Sequence, residues 1–371
     1  LFAQRGVETV PVDFGLKDSW ARPGGEPVAK PEARGARRAA QFAVRRSRLL
    51  RRGINAGRWY LKDRERHARK WEEAIGSCDA VVIGGGQLLV DIGFTFAPRI
   101  AEVVRIARRQ GKPVAFFGCG AGSQWGPVAT RLYGEALGYA SYISVRDRAS
   151  ARMVERVLEP GRVVTHADPG FVADTVYPVA AREGTPVVGL GMQPLQHLHN
   201  FVPGVRHVDE AAYHDFWATV AAGAAQSGAR IELFSNGTTE DHAEATRIHQ
   251  HLATRGVRAT LAERPTVPAE LAAVLGHYSA MLCTRMHAGI VGFSLGARVV
   301  PISWDRKVNN VWDLLGRGDR VLGAEVLAHP ERWASADPQR ANAAFLGAEE
   351  RQKLHAEVQG AADTCLGRLG L

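Results

Sequence analysis

The amino-acid sequence predicts an α/β protein with two Rossmann-like, doubly wound domains that face a central cleft. Short β-branched apolar runs alternate with stretches of helical period, which is the pattern of parallel strands joined by crossover helices. This pattern occurs twice, on either side of residues 177–186. Of the 371 residues, 46% are hydrophobic and 23% are charged. That composition supplies two cores and excludes disorder, coiled coil and collagen.

The first domain is predicted over residues 1–178. Its strands are expected at "DAVVI" (79–83), "PVAFF" (113–117), "YISV" (142–145) and "RVVT" (162–165), with helices near 98–110, 128–138 and 149–158. The chain opens with the end of a helix, a glycine and a strand, so we expect this domain to lack its first strand.

The second domain is predicted over residues 186–345 and is followed by a C-terminal amphipathic helix at 346–371. Its strands are expected at "PVVGL" (186–190), "RIELFS" (230–235), "VRATL" (257–261), "SAMLC" (279–283) and "RVVPI" (298–302), with helices near 209–226, 239–254, 267–276 and 286–295. Doubly wound sheets bind ligands at the carboxyl ends of their strands, so candidate site residues are sought there.

The formal net charge of +9 is concentrated in one segment. Residues 30–70 hold fifteen Lys or Arg but three Asp or Glu, and about residues 27–72 are interpreted as a basic insertion. Within it, "RRAAQFAVRRSRLLRRG" interleaves apolar residues with arginines at helical spacing, which favours peripheral contact with an anionic membrane surface. A solvated basic helix is the alternative. Nucleic acid is not an expected partner, because no recognition module surrounds the segment.

The sequence favours a cytoplasmic enzyme, which the basic segment could hold at the inner face of the cell membrane. No apolar run reaches the roughly 20 residues of a membrane span, and no signal-peptide pattern opens the chain. The spacing of the four cysteines, Cys78, Cys119, Cys283 and Cys365, argues against disulfides and structural zinc.

Two glycine-rich segments follow strands of the first domain. In "VVIGGGQLLVD" a strand runs into Gly84, Gly85 and Gly86, followed by Gln87, and in "FFGCGAGSQWG" the next strand is followed by Gly120. Glycines there allow a ligand to approach the backbone closely, and a tight strand-to-helix turn is the alternative. The spacing is not GxGxxG, so a dinucleotide site is poorly supported.

Charged side chains end two further strands of the first domain. "SVRDRAS" places Arg146 and Asp147 at a strand end, with Ser150 as the cap of the following helix. Arg146 is expected to face the cleft, and a surface ion pair is the alternative. "HADPGF" places His166 and Asp168 after the next strand, and His166 is interpreted as structural.

The densest group of candidate residues lies in 283–316. A strand delivers Thr284, Arg285 and His287 to a helix start, where backbone amides and the helix dipole favour an anion. The next strand delivers Lys307 to the same edge. Two permanent cations and a histidine suit a substrate with two anionic groups and a reaction that needs an acid. A cap or packing role is the alternative for His287.

A further strand end, in "FSNGTTEDHAEA", carries Asn236, Glu240 and Asp241. Polar contacts to a sugar are the functional interpretation of these side chains. Capping of the following helix explains Thr238 or Thr239 without a ligand.

Together these segments resemble the polysaccharide pyruvyl transferase family over about residues 79–316. The resemblance rests on "VVIGGGQLL", "ISVRDRAS" followed by "ADPGF", "FSNGTTEDHAEA", "RPTVPAELAAVL" and "CTRMHAGIVGFSLGARVVPISWDRKV". It implies a fold like that of two-domain glycosyltransferases of the GT-B type. It also implies transfer of the enolpyruvyl unit of phosphoenolpyruvate onto a sugar as a ketal, with release of phosphate.

The resemblance further implies roles for individual residues. Arg146 and Arg285 hold the phosphate or carboxylate of the donor, His287 is the acid, and Lys307 assists. Phosphoenolpyruvate is then a co-substrate, and neither a cofactor nor a metal is expected. The expected acceptor is a sugar, oligosaccharide or lipid-linked sugar of a cell-surface polysaccharide precursor or glycolipid.

Two other functions fit the same residues. A nucleotide-sugar glycosyltransferase of the GT-B type would use the cations to hold a diphosphate. A non-catalytic protein would use the cleft to bind an anionic sugar, and His287 would then be structural.

Overall fold

The computed structural model describes residues 1–12, 48–179, 182–329 and 347–371. Their contacts divide the chain into two compact units, Leu1–His166 with Glu357–Leu371, and Ala167–Ala356. Each unit contains one all-parallel sheet, which confirms the predicted α/β class. Residues 27–47 of the basic segment lie outside the described residues. No helix in the described ranges is both long and apolar enough to cross a bilayer.

The first unit contains a four-stranded sheet in the order β1-β2-β3-β4. Its elements are α1 Arg48–Arg58, α2 Arg64–Gly76, β1 Val81–Leu89, α3 Phe96–Arg109, β2 Val114–Ala121, α4 Pro127–Tyr139, β3 Tyr142–Val145, α5 Arg148–Val154 and β4 Val164–Thr165. A π-helical turn, Trp59–Asp63, joins α1 to α2.

Both faces of the first sheet are buried, because successive residues of a strand point to opposite sides. Phe116 of β2 belongs to a cluster that includes Ile100 of α3 and Leu137 of α4. Phe117 belongs to a second cluster, with Cys365 near the C-terminus. The end of the C-terminal helix therefore packs against the first sheet.

The second unit contains a six-stranded sheet in the order β10-β9-β8-β5-β6-β7. Its elements are β5 Val187–Gly191, α6 Leu195–Phe201, α7 Glu210–Gln226, β6 Arg230–Phe234, α8 Thr239–Thr254, β7 Thr260–Leu261, α9 Pro268–Gly276, β8 Ala280–Cys283, α10 Met286–Ser294, β9 Arg298–Ser303, α11 Arg306–Leu314 and β10 Leu322–Gly323. The C-terminal helix, α12, spans Ala348–Leu369 and contributes to both units.

Two strands are shorter than the sequence predicts. The runs at 162–165 and 257–261 form only Val164–Thr165 and Thr260–Leu261. Both lie at the edge of their sheet, where one neighbour supplies the hydrogen bonds. α6, α11 and β10 are short elements that the sequence pattern did not predict.

The boundary between the two compact units lies after His166, before the predicted join at 177–186. The 3-10 helix Pro169–Thr175 lies on the second side of the division, because Phe171 packs edge-on against Phe293 and Trp312, at ring-centroid distances of 5.9 and 6.3 Å. The predicted domain extents of 1–178, 186–345 and 346–371 stay a prediction, since compact units need not be units that fold independently.

Candidate functional site

The order of the six-stranded sheet reverses between β5 and β8. β6 and β7 follow on one side of β5, whereas β8, β9 and β10 follow on the other. Chain connections diverge at such a switch point and leave a crevice at the carboxyl ends of the two strands, where ligands bind. Gly191 and Cys283, the last residues of β5 and β8, are paired in register. The residues that follow them therefore define the candidate site of this unit.

Arg285 follows β8 and is held by a single carboxylate. Its Nε donates to Asp241 Oδ2 at 2.8 Å, and its Nη2 donates to Asp241 Oδ1 at 2.6 Å. The Asp241 side chain is fully buried in the first turn of α8, which Thr238 caps by accepting from the Asp241 amide. Because the guanidinium is planar and rigid, this pairing directs Nη1 away from Asp241 and keeps it as a donor for an anion.

His287 lies in the first turn of α10, with a half-exposed side chain. Its Nε2 is 3.9 Å from Oδ2 of the buried Asp168. Oδ1 of Asp168 accepts from the Gly170 amide at 2.9 Å, which fixes the carboxylate. His287 therefore lies beside a fixed negative charge.

Aromatic packing brings Asp168 to His287. Asp168 begins the 3-10 helix that carries Phe171, and Phe171 packs on Phe293 of α10. A Cβ on Gly170 would lie 2.9 Å from Ile290, also on α10, so glycine permits this close approach. The start of the 3-10 helix is thereby held against the helix that carries His287.

Lys307 lies in the first turn of α11, after β9. Its Nζ is 4.3 Å from the centre of the Trp304 ring and 3.9 Å from Oδ2 of Asp305, which caps the helix. Trp304 Nε1 donates to the Thr284 carbonyl at 2.6 Å and so joins the ends of β9 and β8. Lys307 is therefore on the same sheet edge as Arg285 and His287, as the sequence predicts.

Asn236 and Glu240 lie at the carboxyl end of β6. Glu240 is exposed on the first turn of α8 and accepts from Thr239 Oγ1 at 3.1 Å. Asn236 Oδ1 is buried without a hydrogen-bond partner in the described ranges. Nearby, Arg264 donates to the Gly237 carbonyl at 2.9 Å. His242 lies near the start of α8, and its pKa is lowered mainly by burial and to a smaller extent by the charge of Arg264.

The first unit places Arg146 against Gly120. The Arg146 side chain is buried, and a Cβ on Gly120 would lie 3.0 Å from its Nε. The predicted alternative of a surface ion pair is therefore wrong. Asp147, and not Ser150, caps α5: its Oδ1 accepts from the Ser150 amide at 2.8 Å. Ser150 Oγ instead donates to Asp147 Oδ2 and accepts from an amide of β2.

The three glycines at 84–86 lie inside β1, so the alternative of a tight strand-to-helix turn is wrong. Gly85 and Gly86 have φ of +76° and +131°, and the register with β2 shifts after Gly86. A Cβ on Gly84 would lie 2.7 Å from the Phe117 carbonyl oxygen of β2. Glycine is thus required by a bulge and by a close backbone approach. Gln87 follows in the same strand, and the next helix begins only at Phe96.

Sequence reasoning missed three residues at the second-unit edge. The Trp304 ring contacts the ammonium group of Lys307. Gln193 and Ser235 are buried polar side chains that follow β5 and β6. The available signal was one polar residue after an apolar strand, in "VVGLGMQ" and "IELFS". The same signal is also typical of a capped turn, so it could not distinguish these residues.

Two cavities of about 650 and 750 Å³ lie at the opposite edge of this sheet, where β5 and β6 begin. Val187 and Arg230 line both of them, and many of the other lining residues are small or apolar. We place the candidate site at the carboxyl edge because the switch point, the cations and the histidine coincide there.

Cys119 and Cys283 are buried in strands of the two sheets. Burial raises the pKa of Cys119 and of Cys283 to about 12, so neither supplies a ready thiolate. Within the described residues, no group of three or more His, Cys, Asp or Glu side chains is arranged to hold a metal ion.

The polysaccharide pyruvyl transferase family matches residues 35–306, which is well over half of the chain. The chain belongs to this transferase family. The resemblance predicted from the motifs is thereby confirmed. The match includes Arg146, Arg285 and His287, whereas Lys307 lies one residue beyond it. It begins within the segment interpreted as an insertion, and so extends further towards the N-terminus than the motifs did.

Several solved structures are similar to this chain, with TM-scores below 0.5. UDP-GlcNAc 2-epimerase from Neisseria meningitidis, bound to UDP-GlcNAc, is 10% identical with a TM-score of 0.44, and the alignment covers 82% of each chain. S. aureus MnaA with UDP is 10% identical with a TM-score of 0.44, covering 81% of this chain and 82% of that one. E. coli heptosyltransferase WaaC with ADP is 15% identical with a TM-score of 0.40, covering 73% and 74%. No curated protein sequence matches the chain.

Proposed function

We propose that this pyruvyl transferase family member moves the enolpyruvyl group of phosphoenolpyruvate onto a sugar of a cell-surface polysaccharide precursor or glycolipid. The observation that carries the proposal is the grouping of Arg285, His287 and Lys307 at the carboxyl ends of β8 and β9, with Asp168 3.9 Å from the imidazole. Phosphoenolpyruvate carries a phosphate and a carboxylate, and two cations beside an acid suit that molecule.

The reaction begins with transfer of a proton from His287 to the methylene carbon of phosphoenolpyruvate. The C=C π electrons form the new C–H bond and leave an oxocarbenium-like centre at the neighbouring carbon. One sugar hydroxyl attacks this centre, and its proton returns to His287. A second hydroxyl then displaces phosphate and closes the ketal, and its proton leaves with phosphate. The methyl group, the ketal and inorganic phosphate account for all atoms.

Two carboxylates support this chemistry without touching the donor. Asp168 places a fixed negative charge 3.9 Å from Nε2 of His287, beside the group proposed to transfer the proton. Asp241 fixes the guanidinium of Arg285 and leaves Nη1 to bind the phosphate or the carboxylate. Lys307, held over Trp304, supplies a second positive charge on the same edge.

Replacing His287 tests its role as the acid. We expect His287→Gln to lower phosphate release from phosphoenolpyruvate by about 10²- to 10⁴-fold, the contribution of a positioned acid. Release is measured across a panel of methyl glycosides and glycolipid extracts, and calorimetry should show unchanged donor binding. His207→Gln, an exposed histidine of the same unit, is the control. Full turnover by His287→Gln would show that another group donates the proton.

We also propose that the helices α1 and α2 bring the enzyme to a membrane that carries a lipid-linked acceptor. The π-helical turn between them buries Trp59 but leaves Leu61 84% and Tyr60 49% exposed. Exposed Lys62 adjoins Leu61, and exposed Arg66, Arg69 and Lys70 follow on α2, where Arg66 pairs with Asp63 and Arg69 with Glu65. Apolar groups beside cations are typical of a surface that binds anionic headgroups.

Vesicle sedimentation tests this contact. The protein should sediment with phosphatidylglycerol-containing vesicles and remain in the supernatant with pure phosphatidylcholine. The double variant Tyr60→Ser, Leu61→Ser should lose most of this binding, whereas Val128→Ser, which removes a 56% exposed apolar side chain elsewhere, should not. Equal sedimentation of all three proteins would exclude this surface as the contact.

A further inference from the structure

Two buried polar side chains follow neighbouring strands at the switch point of the second sheet. Gln193 is 0% exposed and Ser235 is 1% exposed. They come two residues after β5 and one residue after β6, whose last residues, Gly191 and Phe234, are paired in register. Across the described ranges, no hydrogen-bond partner serves Gln193 Oε1, Gln193 Nε2 or Ser235 Oγ.

Such groups are unusual in a folded core. Burying an amide or hydroxyl without a hydrogen bond is costly, and nearly all buried polar groups are therefore paired with protein, water or a ligand. The backbone at Gln193 is itself well fixed, because the Tyr213 hydroxyl donates to its carbonyl at 2.8 Å. Asn236 Oδ1 and His242 Nδ1, on the same side of the switch point, also lack partners within the described residues. The polar atoms thus form a set.

The chemistry of this set indicates a neutral ligand rich in hydroxyl groups. The Gln193 amide both donates and accepts, and so does the Ser235 hydroxyl, which matches sugar hydroxyls that also do both. An anion would find its partners elsewhere on the edge, at Arg285 and Lys307. The lowered pKa of His242, caused first by burial, keeps that side chain neutral as well.

We propose that Gln193 and Ser235, with Asn236 beside them, form a subsite for the hydroxyl groups of the sugar acceptor. The proposal rests on the pyruvyl transfer proposed above. It divides the carboxyl edge of the second sheet into two parts. The ends of β8 and β9 hold the anionic donor, and the ends of β5 and β6 hold the neutral acceptor. The crevice between β5 and β8 then lies between the two reactants.

Saturation-transfer NMR with a panel of methyl hexopyranosides tests the subsite, because it needs neither donor nor turnover. The wild type should give transfer to at least one glycoside. Gln193→Leu and Ser235→Ala should lower its affinity at least tenfold. Gln226→Leu and Ser141→Ala, which change exposed residues, are the matched controls and should bind normally. Calorimetric binding of phosphoenolpyruvate should be the same in all five proteins.

Thermal unfolding separates a binding role from a structural one. Leucine fills a volume similar to that of glutamine without unpaired polar atoms, so the Gln193→Leu midpoint should equal or exceed that of the wild type. A lower midpoint would mean that Gln193 is a structural residue and would overturn the proposal.

The glycoside and phosphoenolpyruvate binding measurements test the subsite independently of stability. Unchanged glycoside affinity in Gln193→Leu and Ser235→Ala, or no glycoside binding by the wild type, would also overturn the subsite. Loss of phosphoenolpyruvate binding in these variants would assign the residues to the donor instead. Failure of the wild type to bind phosphoenolpyruvate, with glycoside binding lost only in the subsite variants, would reject the proposed donor and keep the subsite.

Discussion

Asp241 determines what Arg285 can do. The two side chains are 44 residues apart in the chain, yet two hydrogen bonds join them. Asp241 is buried, and Arg285 is 24% exposed. The guanidinium can therefore reach an anion while its other side is fixed.

Removing that carboxylate should destabilise the second unit. We expect Asp241→Asn to lower the free energy of unfolding by about 2 kcal/mol or more, because a buried charge pair loses one member. Asp215→Asn breaks the pairs that the 41% exposed Asp215 makes with Arg255 and His251, and it should cost less than about 1 kcal/mol. Urea unfolding of both variants measures the difference. Equal losses would contradict a special role for Asp241.

The positions of single site residues could be predicted where they follow a strand that the sequence pattern indicates. Arg285, His287 and Lys307 follow strands that the sequence marks clearly, so their common edge could be predicted. The pairing of Arg285 with Asp241 could not, because it depends on the relative placement of α8 and β8. The lack of hydrogen-bond partners for the Gln193 side chain among the described residues also could not be predicted, because it depends on which residues pack around it in the fold.

At the scale of elements, glycines allow β1 and β2 to continue beyond the ends that the apolar pattern predicts. β1 and β2 continue through glycines that resemble turn residues, and Gly84 allows β1 to approach the Phe117 carbonyl of β2. Periodicity predicted the existence of these strands. It could not predict that they extend to Leu89 and Ala121, because positive φ is compatible with either a turn or a bulge.

An ion pair between β6 and the end of α9 predicts a pH dependence of stability. His277 Nε2 lies 3.2 Å from Glu232 Oε1, and this hydrogen bond raises the pKa of His277 despite partial burial. Burial opposes ionisation of Glu232, but hydrogen bonds from His277 and Tyr278 leave its pKa lowered overall. The pair therefore stabilises the fold while His277 is protonated.

His277→Gln should remove this contribution. Because the folded-state pKa of His277 is raised, its stabilising effect is complete below the ordinary value of about 6.5 and is lost as the pH rises through the folded-state value. The stability difference between wild type and variant, from urea unfolding, should be largest near about pH 5.5 and small near about pH 8.5. A difference that increases with pH would contradict the assigned pair. His207→Gln is again the control.

At the scale of the whole molecule, a repeated pattern predicted two parallel sheets, and the described residues form two. Pattern alone could not fix where the units divide. The sequence of the 3-10 helix Pro169–Thr175 shows no strong hydrophobic periodicity. This helix belongs to the second unit because Phe171 packs against aromatic residues of that unit. Likewise, α12 was predictable as a helix. Its contact with Phe117 and Tyr142 depends on the faces that the first sheet leaves open.

The candidate site residues lie in both units. The second unit holds Arg285, His287 and Lys307 at its switch point, and the first unit holds Arg146 against Gly120. If phosphoenolpyruvate is the donor, its binding should depend chiefly on the cations of the second-unit edge.

Calorimetric titration with phosphoenolpyruvate, and separately with uridine and guanosine diphosphate sugars, tests this assignment most directly. The wild type should bind phosphoenolpyruvate but none of the nucleotide sugars. Arg285→Ala should weaken donor binding at least tenfold, a loss of about 1.4 kcal/mol, and Arg255→Ala should leave it unchanged. Binding of a nucleotide sugar in place of phosphoenolpyruvate, or donor binding that survives in Arg285→Ala, would contradict it.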